Sequence, residues 1–267
     1  LRVDALVSDG RGLGRHDGVV VLVEDALPGQ LVRARVAAVR KSLAEAALVE
    51  VLERSPDEQE PPCPHAGRCG GCSWQSLAYG RQLAWKERIV HDALERVGKV
   101  ACPPMLPILP SPSEWGYRNK MEFAFGVSGD GGKALGLRER GSRNIVEVTG
   151  CLLQTPLTMR VLEAVRMLSN GAFHDLDGRF LVVREPNAGG CFVELIVGAG
   201  GSLEAGERFA EALRAEIPEV TGFALSERLA PSDVAYGERA LYADGRLEER
   251  IGDVRLQMGH NAFFQVI

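Results

Sequence analysis

The chain has 267 residues, 45% of them apolar and 25% charged, a balance that excludes a disordered polypeptide and suggests about two domains. No apolar run approaches the roughly 20 residues that cross a bilayer, and the opening Leu1-Arg-Val-Asp4 has no signal-peptide pattern, so a cytoplasmic protein with no membrane partner is expected. The net charge of −5 excludes a uniformly basic surface; residues 1–150 hold 20 Lys and Arg against 19 Asp and Glu, and residues 151–267 hold 11 against 17, so a phosphate-binding face belongs to the first part.

From Val3 to Leu52, short Val-rich runs alternate with Gly and Pro turns, which predicts about five strands in a small OB-like β-barrel. Gly10-Arg-Gly-Leu-Gly14 is followed by another strand-like run, not a helix, so it reads as a tight turn and not as a nucleotide-binding loop. Ser55–Pro64, rich in Pro, Asp and Glu, reads as a linker closing a domain at residues 1–55. Residues 56–100 then combine a cysteine-rich loop with an amphipathic helix of about 20 residues. Leu77, Leu83, Ile89, Val90, Ala93, Leu94 and Val97 form its apolar face, Gly98 is its stop, and Arg81, Lys86, Arg88 and Arg96 line the other side, usually just a solvated face.

After the proline-dense stretch 103–112, residues 101–260 read as a mixed α/β domain, making the whole chain α+β and multidomain. Residues 117–125 alternate as a half-buried strand, and the turn 128–132 returns the chain as a hairpin partner over 133–140. Helices are predicted at 157–168 and 202–217, and strands at 180–184, 191–197, 222–226 and 254–258, the last completing the mixed region. Arg118, Lys120, Arg138, Arg140 and Arg143 are candidate phosphate contacts on that hairpin. The bland alternative is ordinary cross-strand pairing with Glu122 and Glu139.

The most informative stretch is Cys63-Pro-His-Ala-Gly-Arg-Cys69-Gly-Gly-Cys72. Three thiols in ten residues, with glycines that permit tight turning, suit a metal centre, and a chain of this length without a secretory pattern does not suggest a disulfide framework. A 4Fe-4S cluster takes four thiolates, and so does zinc; one distant ligand added to a C-x5-C-x2-C triplet favours the cluster over the paired C-x2-C knuckles usual for zinc. The fourth ligand is Cys102, Cys151 or Cys191, and spacing leaves that choice open. His65 reads as a loop residue.

The cysteine triplet and the Trp74-Gln-Ser-Leu-Ala-Tyr79 to Lys86 stretch after it resemble the cluster-binding region of the RNA uracil-5-methyltransferase family. So do Tyr117-Arg-Asn-Lys-Met-Glu-Phe123, Arg138-Glu-Arg-Gly-Ser-Arg143, Cys151-Leu-Leu153 and Ala262-Phe-Phe-Gln-Val266, in the same order. Residues 3–52 resemble its RNA-binding TRAM domain. The resemblance implies methylation of uridine C5 in RNA, 23S rRNA being expected because tRNA-directed relatives generally lack the cluster. It makes Cys63, Cys69, Cys72 and Cys151 the ligands of a structural 4Fe-4S cluster and Gln265 a contact of S-adenosylmethionine. Cys102 and Cys191 are left as small buried side chains.

In that family a cysteine attacks uracil C6, and a base later removes the C5 proton; both residues belong to a later domain. Here the glycine-rich S-adenosylmethionine loop is absent and Ile267 stands where asparagine commonly ends the Phe-Phe-Gln-Val motif. The expectation is therefore a monomer ending at 261–267 with the start of the methyltransferase domain, holding no catalytic residue and inactive alone. Two other readings compete with it. One is a non-catalytic RNA-binding module with a structural four-cysteine metal site. The other is a radical S-adenosylmethionine methylthiotransferase, disfavoured because those enzymes use a C-x3-C-x2-C triplet.

Overall fold

The computed structural model describes residues 1–198 and 201–264. Its contacts divide the chain into two units, one of residues 1–67 and 72–112, the other of 68–71 and 113 onward.

In the first unit the Val-rich runs form β1 (Val3–Leu6), β2 (Gly12–His16), β3 (Val19–Glu24), β4 (Leu31–Arg40) and β5 (Leu43–Glu53), ordered β1-β2-β3-β5-β4. Only β3 and β5 run parallel. The expected barrel does not close. The edge strands β1 and β4 meet only at their first residues, through the Arg2–Leu31 bridge and the backbone hydrogen bonds that flank it, Leu1 and Val32 exchanging both and Val3 donating to Gln30. Val3, Val21, Val23, Ala26, Val32, Ala44 and Ala46 fill the interior. The glycine run is explained by close approach: a Cβ on Gly14 would lie 2.3 Å from the Arg2 carbonyl oxygen.

The proline-rich stretch after β5 is less loose than a linker. Glu58 accepts from the Gln30 side chain at 2.8 Å and forms a bridge with Leu77. The amphipathic segment splits into α1 (Tyr79–Asp92) and a π-helical turn at Ala93–Val97. Trp85 alone of these residues is buried; it joins Leu6, Leu27 and Leu77 in a second cluster, flanked by Trp74 and Ile89. The predicted apolar stripe is thus only partly covered: Val90 is 51% exposed and Val97 82%.

The second unit comprises β6 (Lys120–Val127), β7 (Lys133–Arg138), β8 (Ile145–Val146), α2 (Pro156–Asn170), β9 (Gly178–Arg184), β10 (Cys191–Val197), α3 (Leu203–Glu216), β11 (Val220–Glu227), β12 (Arg239–Gly245), β13 (Leu247–Ile251) and β14 (Val254–Met258). Seven strands make one sheet, ordered β12-β11-β10-β9-β6-β7-β8. β10 and β11 are parallel, as a connection through α3 allows, and the other pairs are antiparallel. Thr155 caps α2 by accepting from the Thr158 amide, and Ser202 caps α3 from the Ala205 amide. Both helices pack on one sheet face, where Phe123, Val165, Leu181, Val193, Phe209 and Phe223 are buried. Because Phe180, Val182 and Ile196 are buried on the opposite face, β10 is buried along its length without alternation, Glu194 included. Residues 254–258 do not complete this sheet. They form β14, paired only with β13 in a hairpin of its own that covers Phe192 and Ala224 with Leu247 and Met258.

Candidate functional site

The four residues Arg68–Gly71 attach to the end of β7. Gly70 donates its N–H to the Arg138 carbonyl at 3.0 Å, Arg140 donates to the Arg68 carbonyl at 2.8 Å, and Cys69 bridges antiparallel to Glu139. This short ladder fixes the Cys69 backbone. The Gly71 N–H then donates to Cys69 Sγ at 3.4 Å. Amide donation of this kind favours a thiolate and suits a sulfur bound to iron. Cys151 follows β8, where Gln154 donates its amide to the Cys151 carbonyl and residues 152 and 153 accept from Gly116 and Arg118.

Cys69 and Cys151 thus belong to the second unit, Cys63 and Cys72 to the first, and all four side chains are half-buried. Among the described residues, no group of three or more His, Cys, Asp or Glu side chains is gathered closely enough to hold a metal ion. Cys102 is half-buried, whereas Cys191 is wholly buried in the core of the second unit. Burial pushes the Cys191 thiol up to about 12, so it is a packing residue and not a nucleophile. Gln265 lies outside the described residues.

The candidate RNA contacts gather at one end of the β6–β7 hairpin, since β6 begins at Lys120 and the antiparallel β7 ends at Arg138. Arg118 is exposed. Lys120 pairs with Glu122 at 2.5 Å, but along β6 and not across strands as the bland alternative expects. Arg138 does not pair with Glu139. It meets Asp233 at 2.9 Å, and Arg143 reaches the same carboxylate at 3.7 Å. Glu139 instead accepts from the Asn144 and Ser142 side chains, which hold its carboxyl below the usual range and stiffen the loop between Arg138 and Arg143. Asp233 lies about 90 residues away in a stretch without periodicity, so nothing local in the sequence signals it.

With this geometry in view, the likeness to known proteins is extensive. Residues 1–49 match the TRAM domain. An uncharacterised RNA methyltransferase of Nitratidesulfovibrio vulgaris is 45% identical over 98% of this chain and 59% of its own length. Another, from Thermosynechococcus vestitus, is 32% identical over 100% of this chain and 61% of its own. The chain therefore spans about three-fifths of the length of the curated relatives it matches. The crystal structure of Pyrococcus abyssi tRNA (uracil-54, C5)-methyltransferase in complex with S-adenosyl-L-homocysteine aligns over 99% of this chain and 60% of that one, with a TM-score of 0.69 at 22% identity. The chain has the fold of that part of the archaeal protein.

Proposed function

We propose that the protein acts in S-adenosylmethionine-dependent methylation of uridine C5 in RNA, with 23S ribosomal RNA as substrate. The observation that carries this reading is likeness to RNA methyltransferases along essentially the whole chain, together with the fold of a uracil-C5 methyltransferase. The TRAM match supports an RNA partner. S-adenosylmethionine supplies the methyl group, and Gln265 is the residue assigned to its contact. We assign the protein to the cytoplasm and expect a monomer.

The work of these residues is to bind and orient RNA. Arg138 and Arg143 share one exposed carboxylate, and such surface pairs contribute only about 0–1 kcal/mol, so a phosphate can replace Asp233 at little cost. Arg118, Lys120 and Arg140 extend the same cationic end of the hairpin. Cys63, Cys69, Cys72 and Cys151 would hold a 4Fe-4S cluster. Four thiols are the donor set that such a cluster takes, and the Gly71 amide is directed at Cys69 Sγ; among the described residues the thiols are not gathered into one group. When bound, the cluster supplies cross-linking and not redox chemistry, since methyl transfer to uracil moves no net electrons.

Anaerobic purification with iron and acid-labile sulfide analysis tests the ligand assignment. About four irons and four sulfides per chain are expected, with a broad brown absorption. One zinc and no sulfide would replace the cluster by a structural four-cysteine metal site.

A further inference from the structure

Next to the cysteine loop, whose Cys72 directly precedes Ser73, the first unit contains a groove of about 400 Å³. The turn between β1 and β2 forms one wall, with Ser8, Asp9 and Gly10; Ser73 and Trp74 form the floor, and Lys86, Ile89 and Val90 of α1 form the other wall. Trp74 donates its indole N–H to the Gly10 carbonyl at 3.1 Å. Gly10 has φ +95°, and a Cβ there would meet the Ser73 Cβ at 2.9 Å and the Trp74 indole nitrogen at 3.2 Å. The turn and the indole are therefore held together by a backbone that only glycine accommodates comfortably.

The charges in the groove are unequal. Asp9 is gripped by Arg11 through contacts of 2.9 and 2.6 Å, which hold its carboxyl below the usual range and leave it neutralised. On α1, Arg81 is engaged by Asp57, and Arg88 lies 5.1 Å above the Trp85 ring and 4.0 Å from Asp92, while Arg96 of the following π-helical turn also meets Asp92. Lys86 meets no carboxylate among the described residues and is exposed. Beside it, Val90 is 51% exposed on a helix whose apolar stripe is otherwise turned toward Leu6, Leu27 and Leu77. The groove thus offers one indole, two aliphatic side chains, two hydroxyls and one uncompensated cation.

We propose that this groove binds one nucleotide of single-stranded RNA, with the base against Trp74, Ile89 and Val90 and its phosphate at Lys86. The match is chemical: a base needs a flat apolar surface, its backbone needs one cation, and the 2′-hydroxyl needs a hydroxyl or carbonyl partner. A peptide segment would fill the apolar part but would leave Lys86 without a partner unless it were acidic. The inference rests on the RNA reading above and adds a subsite formed by the β1–β2 turn and the segment 73–90, separate in sequence from the arginines of the hairpin.

The test is a fluorescence-anisotropy titration of the whole chain with a fluorescein-labelled oligouridylate, run at several salt concentrations beside thermal melting. Lys86→Glu should weaken binding about tenfold at an unchanged melting temperature and flatten the dependence of log Kd on log salt. Val90→Asp should weaken it as well, and a 4-thiouridine oligonucleotide should cross-link to a peptide containing Trp74 or α1. If both variants bind like the parent while Arg138→Glu binds more weakly, RNA is bound at the hairpin and the groove proposal fails alone. If the parent binds no RNA, the functional reading and the groove proposal fail together.

Discussion

Arg166 of α2 closes two guanidinium N–H groups on the Leu135 carbonyl of β7, at 2.9 and 2.7 Å, and a third on the Val148 carbonyl at 3.2 Å. The side chain is only 12% exposed, so the helix is riveted to the strand that carries Arg138 at its far end. Arg166→Met keeps most of the apolar stem but strips these carbonyls of their donor. A loss of about 1–3 kcal/mol in urea unfolding is expected. A change below about 0.5 kcal/mol would mean that the helix is held by its apolar contacts alone.

Cys69→Ser tests the structural role assigned to the cluster. Its backbone is already fixed to Glu139, so serine disturbs the ladder little and the thiolate is the main loss. Iron content should fall and stability should drop by more than about 2 kcal/mol, because metal binding and folding are coupled. Full loss of iron with an unchanged melting temperature would count against a structural cluster.

Cys191 offers a chemical contrast. With its thiol pushed up to about 12 by burial, the thiolate is a small minority at any pH the fold tolerates. In native protein at pH 8, N-ethylmaleimide should leave Cys191 unmodified, and denaturant should expose it. Mass spectrometry of the tryptic peptide decides this; rapid native labelling would show that β10 opens readily.

Asp244 gives a pH-dependent term. Arg214 donates to both of its oxygens, at 2.8 and 2.5 Å, Tyr242 and the Phe223 amide add further bonds, and the carboxyl is held below its usual value, chiefly by the Arg214 hydrogen bonds. A depressed folded pKa means that the stabilisation is fully present above the unfolded carboxylate value of 3.8 and is lost as pH falls through the lower folded value. Asp244→Asn should therefore be less stable than the parent at pH 7, with the gap narrowing below about pH 4. A gap that stayed constant down to pH 2.5 would exclude the ionised pair as its source.

How much of this was legible beforehand depended on whether a segment's burial was local or tertiary. The strand predicted over 191–197 has the bounds of β10, because a mostly apolar run between turns, interrupted only by Glu194, needs no partner to announce itself. The helix predicted over 202–217 begins at Ser202, whose hydroxyl caps α3. In contrast, β12 and β13 gave no signal: Arg-Ala-Leu-Tyr-Ala-Asp-Gly is mostly uncovered at a sheet edge, where packing imposes little pattern. That β1 and β4 meet only at their first residues is a long-range pairing no periodicity encodes. Within the candidate site, the cysteines and arginines were named from spacing and resemblance, but the partners that orient them were not. Asp233, Asn144 and the Arg138 carbonyl come from turns and long-range contacts.

The ladder of Gly70 on Arg138 has a consequence for dissecting the molecule. Neither unit is a contiguous stretch of gene: a fragment beginning at residue 113 lacks the four residues that hydrogen-bond to the end of β7, and a fragment ending at 112 carries them with nothing to pair with. Halves made by cutting at the proline-dense stretch are each incomplete. Supplying residues 68–71 as a grafted peptide at the end of β7 is the route by which the second unit can be studied alone.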